Sequence, residues 1–581
     1  MQLHRRVPKI LMIKSRQYIH YYMKKVILIL GILVACSCAK ETMEGIGHND
    51  DLVTFEENSS SQFAITDGQT ILGEQIQIPY TVTNLLKALA LLPAETRSQI
   101  NSDEIYATHY YVKFHPKNKE ELDLLEDIKP RLLLSETPLD REILVGGRSY
   151  HDPTLPEDVP TYQYTTIEAR YWKELTDTLS VESEVLLEAY MPDYYMETET
   201  KSFNSTIPSS AMEALMQKAY ELAGHIYEPM TKASEWYPSG TIKAYDNKTN
   251  TLVPIKGVRV RGTRFLTIKE DLTDDNGYYQ LGSFNNQVNM KLIWEGENWD
   301  VRDGNLGQAV FDGPKVENTR WNVNIDSTQT AQIAFAAIHR AAYRYYCDYI
   351  FGLSRPDNSR REKLAYIEDG IHDGTVNGDY NQQWGLGVWS DIRIAGQNSS
   401  GVRDVSELFC TTCHELAHAS HYTNAKNNYK DSELRVLESW TRFAQYLLTK
   451  QEYKELGVTS LTELTTQNGI TGDKPDAVYN FQLNNSLSLT YTPVLIDLYD
   501  DFNQYQYYYN NPSYSDDKIK NIPPAAIENV VFNSTSFTNF IDKLKDLTEK
   551  LNKTAENKLI RHEINKGQLY KSQKIHKKQV Y

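Results

Sequence analysis

Cysteine is scarce in this 581-residue chain: five in all, two of them at Cys36 and Cys38 near the start. The three that remain are too few for a disulfide framework. No apolar run is long enough to span a bilayer, and the mean hydropathy is −0.54. Together these exclude a polytopic membrane protein. No internal repeat is present. Basic charge is also in short supply, with a net charge of −16. Residues 1–25 carry Lys and Arg but no acid, and residues 552–581 are basic as well, so the acidic excess sits in residues 26–551. Such a body argues against nucleic acid as the main partner. Charged residues at 24% and hydrophobic ones at 40% make an ordinary globular balance, which excludes wholesale disorder, collagen and coiled coil. The length allows several domains with sizeable cores. Tyrosine is plentiful at 40 residues, which suits strands and polar binding surfaces.

Residues 23–36 read MKKVILILGILVAC. Lys24 and Lys25 form a basic start, and Val26 to Val34 is an apolar run too short to span a bilayer. The segment Leu33-Val34-Ala35-Cys36 resembles a bacterial lipobox. The resemblance implies a signal peptide over 23–35, lipidation at Cys36, export, and an outer-membrane lipoprotein facing the periplasm or the cell surface. Residues 1–22 precede a complete signal peptide, so translation is expected to start at Met23. Residues 36–60 are polar and acidic and read as a tether.

The fold class expected from the rest is multidomain α+β. Between 61 and 235 helical and strand signals alternate. Leu85 to Leu92 and Ala211 to Ile226 have helical spacing, and Tyr106 to Phe114 alternates as a strand does. This region is expected to be an N-terminal α+β domain, with an inhibitory prosegment as one role for it. Residues 236–328 change character. Strand-like runs at Gly240 to Tyr245, Gly257 to Gly262 and Gly277 to Leu281 are separated by Asn, Asp and Gly turns. This stretch resembles the carboxypeptidase regulatory-like domain, which implies a transthyretin-like β-sandwich serving as a spacer or contact surface. Residues 329–551 begin with a long amphipathic helix from Thr330, continue with strands at Lys363 to Ile367 and Trp384 to Ile394, and end mostly helical.

The chemistry lies in SELFCTTCHELAHASHY, residues 406–422. His414-Glu415-Leu416-Ala417-His418 is an HExxH. On a helix, positions i and i+4 share a face, so both imidazoles reach one metal ion and Glu415 stands beside it as a general base. Such a site needs a third ligand, and Glu438 follows His418 by 20 residues at the start of a second helical pattern. The HExxH-x19-E spacing resembles the gluzincin metallopeptidases, over roughly residues 330–450. The resemblance implies a zincin-like domain with Zn²⁺ held by His414, His418 and Glu438. It implies Glu415 as the base, Tyr429 as an oxyanion-stabilising tyrosine, and an edge strand at Trp384 to Ile394 that pairs with an extended peptide. The implied substrate is a protein or glycoprotein outside the cytoplasm.

Departures accompany the match. Arg442 stands where the thermolysin pattern has a carboxylate that orients a histidine, leaving Asp404 or Glu407 as candidates for that role. The histidines after Glu438 are His562 and His576, in the tail, so Tyr479 or Tyr491 is the candidate for the transition-state donor. His421 offers a further imidazole and reads as a helix-surface or supporting residue. Cys410-Thr-Thr-Cys413-His414 also matches the haem-attachment pattern CxxCH, but one histidine cannot serve haem and zinc together. The second reading, from another class, is a surface binding lipoprotein with a structural or degenerate zinc site.

Overall fold

The computed structural model describes residues 64–128, 131–191, 207–228, 235–348, 351–357, 360–371, 376–380, 390–399, 401–458, 492, 494–500 and 519–555. The lipobox with Cys36, the tether, Tyr479, Tyr491 and the tail histidines lie outside them. The described residues form six sheets and twelve α-helices, a mixed α+β architecture. None of these helices is long and apolar enough to cross a membrane.

The alternating run near Tyr106 becomes the strand His109–His115, central between Gln163–Glu168 and Glu182–Ala189 and antiparallel to both. The first helical pattern forms Val82–Leu91, started by the Thr81 hydroxyl accepting from the Asn84 N–H. The second forms Ser209–Leu222 and ends earlier than its spacing suggested. Leu85, Ala88, Ala211, Leu215 and Ala219 from these two helices bury together with Tyr111 of the central strand.

Residues 239–325 contribute two further sheets. One has the order Thr267–Leu272, Arg259–Arg264, Val288–Ile293, Val310–Val316. The other is built on Ser239–Asp246, which pairs with Tyr278–Gln280, Thr251–Pro254 and Val323–Ile325. Gly277, at a φ of 73°, makes the turn in Asp274-Asp275-Asn276-Gly277 that a residue with a Cβ resists. Two strands from this same stretch leave it. Trp299–Asp303 pairs in parallel with Glu362–Ile367, and Gly307–Gln308 pairs with Trp299–Asp303. The backbone ladder therefore crosses the boundary expected at 328/329.

The sheet they join has the order Gly307–Gln308, Trp299–Asp303, Glu362–Ile367, Ile392–Ala395, Gly378–Tyr380. Its side chains alternate with period two. Trp299, Val301, Leu364, Tyr366, Ile392 and Ile394 enter the main core, which also takes in the helices Thr330–Cys347 and Val405–Asn424. Asp300, Arg302, Lys363 and Arg393 face the other way, yet they are buried. Helix Lys119–Glu126 of the N-terminal region covers this charged face. Lys363 Nζ lies 2.6 Å from Asp123 and 3.0 Å from Glu126, and Arg302 reaches Glu126 at 2.6 Å. Burial alone would raise the Glu126 carboxyl, but Lys363 and Arg302 hold it well below the usual carboxylate range. Helix Lys119–Glu126 thus packs on the sheet face opposite the HExxH helix.

Helix Thr330–Cys347 is buried along most of its length and alanine-rich, with Ala334, Ala337 and Ala341 buried. Small side chains permit close helix approach, at axial separations near 8 Å. His339 on this helix is buried and neutral. Its Nδ1 accepts from Trp299 Nε1 at 3.1 Å, and its Nε2 donates to the Lys256 carbonyl at 2.9 Å. Desolvation lowers its pKa to about 4.

Candidate metal centre

The HExxH helix runs from Val405 to Asn424. Asp404 caps it by accepting from the Glu407 N–H, while the Glu407 carboxylate accepts from the Asp404 N–H. That reciprocal box secures the first turn. It also occupies the two acids expected to orient the histidines, so neither of them does. Leu416, Ala417 and Ala419 fix the buried face, and His414 and His418 project one turn apart toward the neighbouring helix Leu434–Glu455.

Glu438 comes from the first turns of that second helix. Its Oε2 lies 3.4 Å from His414 Nε2, and its Oε1 lies 3.4 Å from His418 Nε2. One ligand atom from each of the three residues lies within 4.8 Å of the others. Ligand atoms about 2.0–2.1 Å from a tetrahedral zinc stand roughly 3.4 Å apart, so the donor set and its spacing fit such an ion. Burial alone would raise the Glu438 carboxyl, but both imidazoles at hydrogen-bonding distance hold it well below its ordinary range. Burial disfavours the charged form of His414, and the adjacent Glu438 carboxylate more than compensates, raising its pKa. Glu415 is buried, and desolvation raises its pKa.

The outer nitrogen of His414 is held by a group that the sequence did not single out, and that of His418 by Tyr429, which it did. His414 Nδ1 is 3.2 Å from Gln445 Oε1, and Gln445 Nε2 donates to Cys410 Sγ at 2.9 Å. Thr449 Oγ1 donates to the same sulfur. Gln445 sits seven residues after Glu438, two turns along one helix face, and that periodicity is the signal that identifies it. His418 Nδ1 is 3.2 Å from the Tyr429 hydroxyl. Tyr429 therefore meets the nitrogen turned away from Glu438, where it is placed to orient the imidazole. The tautomer with the proton on Nδ1 of each ring leaves both Nε2 lone pairs for a metal ion, and at His414 that Nε2 also lies 3.2 Å from Thr441 Oγ1.

His421 does not join the cluster and is not on the helix surface. It is fully buried, stacked on Phe532 with ring centroids 4.5 Å apart, and edge-on to Tyr429. Desolvation lowers its pKa to about 3. Cys410 and Cys413 are buried free thiols one turn apart on the HExxH helix.

The described part of Trp384 to Ile394 is not the sheet edge. Ile392–Ala395 lies between Glu362–Ile367 and Gly378–Tyr380, and residues 381–389 lie outside the description. The edge is Gly378–Tyr380, antiparallel to its one partner strand among the described residues. The Asn377 carbonyl accepts from the Ala395 N–H at 2.9 Å. Antiparallel pairs alternate, so the next residue, Gly378, turns its main-chain groups away from Ile392–Ala395, to the side that no strand among the described residues occupies. A Cβ at Gly378 would stand 2.9 Å from Glu415 Oε1 and 2.6 Å from Thr411 Cγ2. Arg403 ties this edge to the HExxH helix, donating to the Asn377 and Ala395 carbonyls and to the Glu407 carbonyl, each at 2.9 Å.

No known family and no curated protein matches the chain. Among solved structures it is similar to a 9R-lipoxygenase from Cyanothece PCC8801, with a TM-score of 0.11 and 13% identity. The likeness covers 42% of this chain and 33% of that one, and at this level it carries no argument.

Proposed function

We propose that the chain is a zinc-dependent metallopeptidase of gluzincin type, with a zincin-like domain behind a transthyretin-like sandwich. One observation carries the reading. The His414, His418 and Glu438 ligand atoms converge, and Glu415 beside them lies against the open main-chain edge at Gly378. Zinc held by these three residues supplies a Lewis acid that polarises a scissile carbonyl and lowers the pKa of water toward about 7. The residues of the chain do the rest. The Gly378 edge aligns an extended peptide by strand addition. Glu415, buried and raised in pKa, takes a proton from the attacking water and delivers it to the leaving amine. Gln445 and Tyr429 keep both Nε2 atoms aimed at the metal. The substrate is a protein or glycoprotein outside the cytoplasm, and Cys36 carries the lipid that anchors the enzyme at the outer membrane.

The test is metal content and proteolysis of the full chain. One zinc per chain is expected, lost in Glu438→Ala. Glu415→Gln should keep the zinc while hydrolysis of a broad protein substrate falls by at least about 10²-fold. No zinc in the wild type after reloading refutes the site. Zinc without hydrolysis turns the reading to a binding lipoprotein with a structural metal.

A further inference from the structure

A shelf of aromatic and basic side chains leads away from the metal cluster. It begins at Tyr429, whose hydroxyl meets His418. Tyr422 packs edge-on against Tyr429 at 5.7 Å, and Tyr380 of the open sheet edge packs on Tyr422 at 6.3 Å. The shelf therefore joins the two features that would hold a peptide, the ligand His418 and the strand Gly378–Tyr380. Two cations converge on its middle ring. Lys426 Nζ lies 5.2 Å and Lys430 Nζ 5.9 Å from the centre of Tyr422.

Both lysines are exposed. Among the described residues neither has a carboxylate at ion-pair distance, in a chain whose net charge is −16. The arrangement is electrostatically incomplete. A ring face attracts a cation by about 0.5–1 kcal/mol at an exposed site, but it does not neutralise the charge. Two like charges drawn to one ring repel until an anion lies between them. An acidic side chain of a peptide paired along the Gly378 edge would meet this shelf as it leaves the strand.

We propose that Lys426 and Lys430, mounted on the Tyr380–Tyr422–Tyr429 shelf, select polypeptide substrates with aspartate or glutamate flanking the scissile bond. The inference rests on the peptidase reading above and adds the substrate class.

The experiment uses the full chain bearing Glu415→Gln, which binds without cutting. Two fluorescein-labelled peptides share an apolar centre, one flanked by glutamates and the other by lysines. Fluorescence anisotropy should give about tenfold tighter binding of the glutamate peptide at low ionic strength, since each exposed ion pair contributes roughly 0.2–1 kcal/mol and 1.4 kcal/mol is tenfold. The gap should close in high salt. Adding Lys426→Glu and Lys430→Glu should reverse the order while bound zinc is unchanged. Equal affinities, or a preference that survives the charge reversal, would overturn the proposal. Cleavage of the same peptides by the wild type reads the peptidase assignment separately. Acid-selective binding without any cleavage would refute that assignment and leave the shelf standing as a binding surface.

Discussion

Adding one methyl group at Gly378 tests the link between the sheet edge and the proposed general base, Glu415. The new carbon would lie 2.6 Å from Thr411 Cγ2, 2.9 Å from Glu415 Oε1 and 3.1 Å from Glu415 Cγ. Gly378 is not among the glycines at positive φ, so alanine fits the backbone there and the whole effect is steric. Thr411 and Glu415 share the rigid HExxH helix, and Arg403 holds the strand to that helix. Neither side yields freely. Overpacking of this kind costs about 1–3 kcal/mol, which lowers the melting temperature by a few degrees. The larger effect falls on hydrolysis. Glu415 is pushed from its place by a fraction of an ångström, and a misplacement near 1 Å costs about 10²-fold in rate. The proposed zinc ligands are not among the groups the new carbon would meet, so zinc content should be unchanged. The assay is hydrolysis of a protein substrate by Gly378→Ala beside elemental analysis and thermal unfolding of the same protein. Wild-type activity in a variant that binds zinc normally would mean that the strand does not approach the base as described.

Three other outcomes are expected. Gln445→Leu removes the acceptor for His414 Nδ1 and should weaken zinc binding about 10–100-fold by chelator competition, while Gln445→Glu should retain it; equal affinity in Gln445→Leu would remove Gln445 as the orienting group. Lys363→Met removes the cation that Asp123 and Glu126 share, while Lys119 and Arg360 still meet Asp123 and Arg302 still meets Glu126, so it should cost about 1–3 kcal/mol in denaturant unfolding, and no measurable loss would contradict the buried network. His339 has a folded pKa of about 4, below its ordinary 6.5, so the unfolded chain binds more protons between those values and stability is lost as pH falls through that window. The difference between pH 7 and pH 5 amounts to about 2 kcal/mol from this residue, and it should vanish in His339→Gln, whose amide both accepts and donates; an unchanged pH slope in that variant would refute the assignment.

The convergence of helix-borne side chains was readable from spacing. The histidines at i and i+4 and the glutamate 20 residues on do converge, because each lies on a helix with a strong buried face and a short connection between them. Local strand patterns were readable for the same reason, as at His109–His115 and Glu362–Ile367. What failed were inferences about partners in space. Asp404 and Glu407 looked free to orient a histidine, but their three-residue separation before an apolar run is also the signature of a capping box, and the local bond prevailed. Gly378–Tyr380 was missed as the edge because three residues carry almost no period. Of the two places expected for His421, the helix surface is excluded by the Phe532 ring that arrives from another helix to cover it, which periodicity does not foretell, while its packing on Tyr429 keeps it beside the group that meets His418. The break placed at 328/329 follows a change in turn density, whereas Trp299–Asp303 finds its parallel partner some sixty residues later.

The buried charged face of the sheet bears on how this chain comes apart. Lys363 finds its carboxylate partners Asp123 and Glu126 on helix Lys119–Glu126, and Arg302, already paired with Asp300 on its own strand, meets Glu126 there as well. Arg361 meets Glu295, which Arg259 of a neighbouring sheet also meets at 2.5 Å. Peeling away any one of these segments would strand ions of the other two in an apolar interior, so partial unfolding is disfavoured at every seam. The described residues from 64 to 555 should therefore melt in a single calorimetric transition. A protease entering at a surface loop would leave nicked but associated fragments, and no free metal-binding half.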